Sequence, residues 1–187
     1  MIIYTKNQQT LEKNTFLLDQ SIPIDTVWID ITNITPEEEL KLEQHFKINI
    51  PNLEETKNVS ISNRLYEEQE AIYMTIALYL AKDSNICNLK ADNITFIITK
   101  GILITLREVD SDLFNNILNY ISQKNILSKN TCFSLLLILL KNIINNTSAF
   151  LENIGHFIDI QNDNIVGCSP DHTELNKVNY KTLLKFL

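Results

Sequence analysis

Glycine is nearly missing: the 187-residue chain has three. A loop that cradles phosphate needs closely spaced glycines, so none is expected here. Cysteine is as sparse. Cys87, Cys132 and Cys168 are odd in number and show no Cys-x-x-Cys spacing. That pattern excludes a zinc-ligand or thioredoxin-like motif and reads as three ordinary thiols in a reduced compartment. His45, His156 and His172 are far apart, and none stands beside a nucleophile motif. GxSxG and HExxH do not occur, so an enzyme is not expected. Basic residues are outnumbered, 16 Lys and Arg against 23 Asp and Glu, for a net charge of −7. The acidic balance argues against nucleic acid and against an anionic membrane surface as partners. No uninterrupted apolar run is longer than Leu135 to Leu140. A membrane span takes about 20 such residues, so no transmembrane helix is expected. The start, Met1 to Lys6, lacks the charged-then-apolar layout of a signal peptide.

What is present is punctuation for strands mixed with helices. Met1 to Tyr4 reads as a short strand and Asn14 to Asp19 as strand or turn. Asp25 to Ile31 is a β-type run closed by a turn-like Thr32-Asn33. Asp30, at its end, reads as a turn cap rather than a catalytic acid. Thr35 is a natural N-cap, Pro36 suits the first helical position, and Glu38 closes a capping box. Glu37, Glu38 and Glu39 place negative charge where the helix dipole favours it. This helix ends near Phe46, and His45 on it is expected to be exposed. A second short helix, Asn52 to Asn58, follows Pro51. Ser60 to Tyr66 and Ala71 to Leu80 read as paired strands with Glu67 to Glu70 as their turn. Apolar residues at both parities of the second strand predict burial on both faces. Asp83 to Asp92 is a polar loop. Asn93 to Thr99 and Ile102 to Glu108 form a hairpin around Lys100-Gly101. Asp110 or Ser111 caps a helix running to about Gln123. The fold class is therefore α/β: an α/β/α layered domain with a mixed sheet over residues 1–128.

From Asn130 the character changes. Phe133, Leu136, Leu140, Ile143, Thr147, Phe150, Ile154 and Phe157 recur in steps of three and four. The pattern predicts a helix from Asn130 to Asp159, on the order of 40 Å long, that must bury its seam against another helix. Asn162 to Pro170 reads as a connecting turn. A following helix then runs through Leu175, Val178, Leu183 and Leu187. Residues 129–187 are thus read as a second unit of long antiparallel helices.

Five pieces in order carry a resemblance. They are the strand Val27-Trp28-Ile29-Asp30-Ile31, the acidic helix Pro36 to Phe46, the element Pro51 to Glu55, the run Arg64-Leu65-Tyr66-Glu67-Glu68, and the hairpin Ile94 to Arg107. Together they resemble the amino-terminal cytoplasmic domain of CorA-type magnesium transporters, over roughly Val27 to Asp159. The resemblance implies the same layered architecture, with the long helices leading toward a stalk helix that this chain barely begins. It implies a regulatory and transported Mg2+, with Co2+ as a further cation. It also implies a homopentamer for the full-length transporter, and contact with the membrane only through carboxyl-terminal helices and a Gly-Met-Asn motif not found in this sequence. The chain is accordingly expected to be a soluble portion, monomeric or weakly oligomeric by itself. Its place would be the cytoplasmic side of the inner (plasma) membrane.

Mg2+ is a hard cation that wants carboxylate and carbonyl oxygen and keeps several waters. By position, the resemblance implies Glu54 and Glu55 as ligands at the interface between neighbouring subunits. Asn145-Asn146 stands where an acidic pair is expected, and Asn146 is the third candidate ligand, through a carbonyl that brings no charge. Glu37 to Glu39 and Glu67-Glu68 are explained by helix capping and an exposed turn. A zinc-transporting relative of the same fold and a stand-alone protein-interaction domain remain the alternatives.

Overall fold

The computed structural model describes residues 1–7, 10–16, 20–57, 60, 64–81, 89–108, 114 and 131–166. The chain divides into two compact units: Met1–Leu78 with Ala91–Ile143, and Tyr79–Lys90 with Ile144–Leu187. Its elements are β1 (Ile2–Asn7), β2 (Thr10–Thr15), β3 (Thr26–Thr32), α1 (Pro36–Phe46), α2 (Leu53–Lys57), β4 (Leu65–Glu68), β5 (Ala71–Ala81), β6 (Leu89–Thr99), β7 (Ile102–Arg107) and α3 (Thr131–Val166).

The strands form one mixed seven-stranded sheet in the order β2-β1-β3-β7-β6-β5-β4. β3 and β7 run parallel at its centre, with Asp30 opposite Thr105. The pairs β1/β2, β1/β3, β6/β7 and β4/β5 are antiparallel. Alternation along the central strands sends two sets of side chains to opposite faces. Ile3, Ile29, Ile31, Ile97, Ile104 and Leu106 pack with Leu42 and Phe46 of α1. Tyr4, Trp28, Asp30, Thr105 and Arg107 have the other parity. Phe114 lies against this second set, 6.5 Å from Trp28 ring to ring. The start of α3 is tied to the same face, where Lys6 Nζ donates to Thr131 Oγ1 at 2.9 Å. Helix, sheet and helix thus stack as the sequence predicts.

α1 occupies the predicted bounds. Glu38 N donates to Thr35 Oγ1 at 3.3 Å, and Thr35 N donates to Glu38 Oε2 at 3.1 Å, a reciprocal capping box. The β6/β7 hairpin turns on Lys100 and Gly101, both at positive φ (47° and 79°). Two left-handed residues in a row match the twist of the flanking strands.

Four readings need correction. β2 pairs in full with β1, where the sequence suggested strand or turn only from Asn14. Its residues Leu11, Glu12, Lys13 and Asn14 carry no apolar alternation because β2 is an edge strand with little to bury. β4 begins at Leu65, and Glu67 and Glu68 are strand residues opposite Ile72 and Ala71. The turn is Gln69-Glu70, both left-handed (φ 48° and 64°) and neither of them Gly or Asn, so turn chemistry gave no signal there. β5 meets the expected two-face burial only in part: Ala71, Tyr73 and Thr75 are buried on one face, whereas on the other Ile72 is exposed, Met74 and Ile76 are half-buried and Leu78 is buried. Residues 89–92, read as loop, extend β6.

α3 needs the largest revision. It runs unbroken for 36 residues through Val166, past the expected turn at Asn162. Its buried residues are Cys132, Leu135, Ile138, Leu139 and Ile143, while Phe133 of the predicted seam is 48% exposed. Of the predicted seam Ile143 is buried as expected, but before it the buried stripe is displaced by about one residue. Leu136 and Leu140 are half-buried at its margin. By length and composition, Thr131–Asp163 is long and apolar enough to cross a membrane, contrary to the expectation. Isolated polar residues interrupt every apolar run, and that hid a helix whose average is apolar. The cap at Asp110 or Ser111, the helix to Gln123 and the helix from Pro170 lie outside the described residues.

Candidate functional site

Of the acidic candidates of the first unit, Glu39 and Glu68 lie near the pair on α2, whereas Glu38 pairs with the amino terminus of Met1. The chain enters α2 through Asn52, whose Oδ1 accepts from Glu54 N and Glu55 N, both at 3.0 Å. Glu55 Oε2 accepts in return from Asn52 N at 3.0 Å. This is a capping box with Asn in place of Ser or Thr, and it is what fixes so short a helix. Below it, Asn93 Nδ2 donates to Thr56 O at 2.8 Å, and Lys57 pairs with Glu108. That pairing pulls the Lys57 ammonium above its ordinary range, chiefly through the hydrogen bond. The side chains of Glu54 and Glu55 are exposed.

α1 adds two acids to this surface. Glu43 Oε1 accepts from Ile50 N at 3.0 Å and so holds the loop that leads to α2. The Glu39 carboxyl is pushed above the usual carboxylate range, first by burial and then by the charges of Glu43 and Glu55. From the sheet edge come Tyr66 and Tyr73, stacked with ring centroids 4.6 Å apart. Tyr73 Oη donates to Asn49 O at 2.8 Å. Its hydroxyl is pushed up to about 12, mainly by burial and then by Tyr66 and Glu68. The Tyr66 hydroxyl is also raised, by burial and then by Glu68 and Glu55. Glu39 thus feels the charges of Glu43 and Glu55, and the two tyrosines feel that of Glu68.

Glu54 and Glu55 are adjacent in the first unit. Asn146 lies in the second unit, exposed on α3. Among the described residues no group of three His, Cys, Asp or Glu side chains is arranged to hold a metal ion. Glu55 has a structural duty that reasoning from sequence did not assign, since one carboxylate oxygen closes the α2 cap. Asn-x-x-Glu at 52–55 is the signal that would have shown it.

A second cluster lies inside the sheet. Asp30 Oδ2 accepts from Arg107 Nη2 at 2.7 Å, and Oδ1 accepts from Arg107 Nε at 3.1 Å. Thr105 Oγ1 donates to Asp30 Oδ1 at 2.7 Å and accepts from Trp28 Nε1 at 3.1 Å. Both charged side chains are buried, 2% and 3% exposed. The Arg107 guanidinium also lies 4.5 Å from the Phe114 ring centroid. Asp30 is therefore neither a turn cap nor a poised acid. It is one half of a bidentate ion pair joining the two parallel strands. The parallel register explains the spacing, because Asp30 faces Thr105 and its partner is two residues on.

Both halves of this lock, Trp28 with Asp30 and Thr105 with Arg107, are pieces of the ordered set that carried the family resemblance. A family model described as "CorA-like Mg2+ transporter protein" matches residues 25–181. The chain belongs to this family. A CorA relative, the magnesium transport protein CorA of Wolinella succinogenes, is 31% identical over 134 residues, which is 67% of this chain and 41% of the relative. The chain thus spans less than half the length of that CorA. Among solved structures, CorA of Methanocaldococcus jannaschii aligns with TM-score 0.66 at 19% identity, over 100% of this chain and 58% of the other. The ZntB cytoplasmic domain from Vibrio parahaemolyticus aligns with TM-score 0.63 at 12% identity, over 99% and 72%. At these identities the likeness is one of fold, and it places the sheet and α3 in the CorA architecture.

Proposed function

We propose that this chain is the cytoplasmic sensor portion of a CorA-like transporter, binding intracellular Mg2+ to bias a pore formed elsewhere in the protein. Co2+ is a further cation for the same oxygen-rich site. The single observation that carries the reading is the pair of exposed carboxylates on α2, near a Glu39 carboxyl that the charges of Glu43 and Glu55 help to raise. Carboxylate oxygens suit a hard cation, so the donor set fits Mg2+. With one oxygen of Glu55 engaged by Asn52 N, the pair offers few direct ligands and Mg2+ keeps most of its water. Asn146 of a neighbouring copy is the third ligand in this reading, and self-association up to a pentamer would complete the site. The place of action is the cytoplasmic face of the inner membrane.

The test is titration of the 187-residue chain with Mg2+ by calorimetry or NMR shift mapping. The expected dissociation constant is millimolar or weaker, about −4 kcal/mol or less. Glu54→Gln is read first, because it leaves the Asn52–Glu55 cap intact. Glu54→Gln/Glu55→Gln should abolish the remainder. Unchanged binding by the double variant would overturn the assignment, and micromolar binding by the wild type would place a complete site elsewhere. The fold likeness to a ZntB domain favours a second reading, zinc. A zinc site draws on Cys and His, and neither residue occurs among these acids.

A further inference from the structure

α2 ends on a cation of its own. Lys57, its last residue, stands three places after Glu54, the spacing that brings two side chains together on one helix face. The Lys57 side chain pairs with Glu108 and is 56% exposed, whereas that of Glu108 is 17% exposed. Glu54 and Asp92 add their negative charges at the same ammonium. The backbone on either side of the pair is held in place. Asn93 Nδ2 donates to Thr56 O and seats the last turn of α2 against β6. Glu108 directly follows Arg107, whose guanidinium is fixed on buried Asp30. The flexible four-carbon stem of Lys57 is therefore the part that can turn. An ammonium has three donors, so it can serve Glu108 and Glu54 together or in turn.

Charge decides what this means for a divalent cation. Mg2+ beside Glu54 keeps most of its water, so its hold is largely electrostatic. A positive charge one helical turn away opposes that hold unless it withdraws. We infer that Lys57 is a built-in counter-ion that competes with the divalent cation for Glu54, with Glu108 as the acid onto which its ammonium withdraws when the cation binds. The inference rests on the assignment of Glu54 as a ligand in the proposed function. It gives a residue of this chain, and not only a scarcity of acids, the task of keeping the affinity low. A sensor needs such a setting, because a site that is always filled reports nothing.

Mg2+ titration of the full 187-residue chain tests it, followed by NMR shifts, with circular dichroism as the check on folding. Lys57→Gln keeps a donor for Glu108 and should tighten binding about three- to tenfold at low salt. The gain should shrink at about 0.5 M KCl, where charges are screened beyond a few ångströms. Lys57→Arg should bind as the wild type does. Glu108→Gln should weaken binding, since the ammonium then loses its alternative and stays on Glu54. Opposite signs for the two halves of one ion pair are the signature. A pair that only holds α2 in place would move the affinity the same way from either side. Lys13→Gln removes the same charge from exposed β2, at the opposite edge of the sheet from β4, and should change nothing. Affinity unchanged or lowered in Lys57→Gln overturns the inference, as does an equal gain in Lys13→Gln. Where Glu54→Gln abolishes wild-type binding but Lys57→Gln gains nothing, the counter-ion alone is wrong. Where Glu54→Gln leaves binding unchanged, the cation assignment fails and this inference fails with it.

Discussion

One buried ion pair bridges the two central strands. Asp30 and Arg107 have almost no access to water, and each satisfies the other through two hydrogen bonds. Removing one partner leaves a buried charge without compensation. Asp30→Ala or Arg107→Ala should therefore each cost about 3–5 kcal/mol in urea unfolding. Asp30→Leu combined with Arg107→Met should cost less than the sum of the single changes, because no orphan charge remains. At the surface, Glu39 tests the field around α2. Its folded-state carboxyl is raised, so the native state holds its proton more tightly than the unfolded chain. The associated stability is present below the ordinary carboxylate value and is lost as pH rises through the raised one. Glu39→Gln should thus stabilise the protein at pH 7 by under about 1 kcal/mol, since the site is partly solvated. The gain should vanish near pH 4, and a gain constant with pH would show that charge is not its cause.

At the scale of the element, α3 separates what the sequence states from what it withholds. Steps of three and four announced a long helix, and a long helix is there. Which stripe faces the sheet was not legible, because Phe133, Leu136 and Leu140 are as apolar as Cys132, Leu135 and Leu139. With apolar residues on both stripes, only the tertiary partner decides. Leu139, fully buried, should lose about 2–5 kcal/mol on change to Ala. Leu140, half-buried, should lose clearly less in the same urea experiment. Equal losses would mean that the seam is broader than the structure shows. α1 was read to the residue because its signals are local: a capping box, a proline and an acidic first turn. β2 and the Gln69-Glu70 turn were missed for the converse reason. Edge pairing and a left-handed turn of ordinary residues are imposed by neighbours. The acidic pair on α2 was legible as a pair, but the duty of Glu55 in the cap was not, since it depends on the fold of Asn52.

For the molecule as a whole, the sheet order places the earliest strands beside the latest. β1 and β2 pair locally, and β6 with β7, but β3 has one of its two neighbours some 75 residues downstream in β7. Nothing between these strands in sequence substitutes for that neighbour. Chains stopped before Ile102 should therefore remain open to proteolysis across Thr26–Thr32. Chains that extend through Ile143, with the first unit complete, should be protected. Protection already present before β7 would mean that the amino-terminal half has a core of its own.

The parallel pairing of β3 with β7 also imposes an order in time. A ribosome delivers Trp28, Ile29 and Ile31 long before anything can pair with their free side, and loop closure over so many residues is slow. During that interval an apolar strand with an unpaired edge waits in solution, which is the condition under which strands join the wrong neighbour. The charge on Asp30 is then a safeguard as well as a lock. Until Arg107 arrives, a solvated carboxylate in the middle of β3 makes premature burial of that strand expensive, so the residue that later pins the sheet first keeps it from closing on anything else.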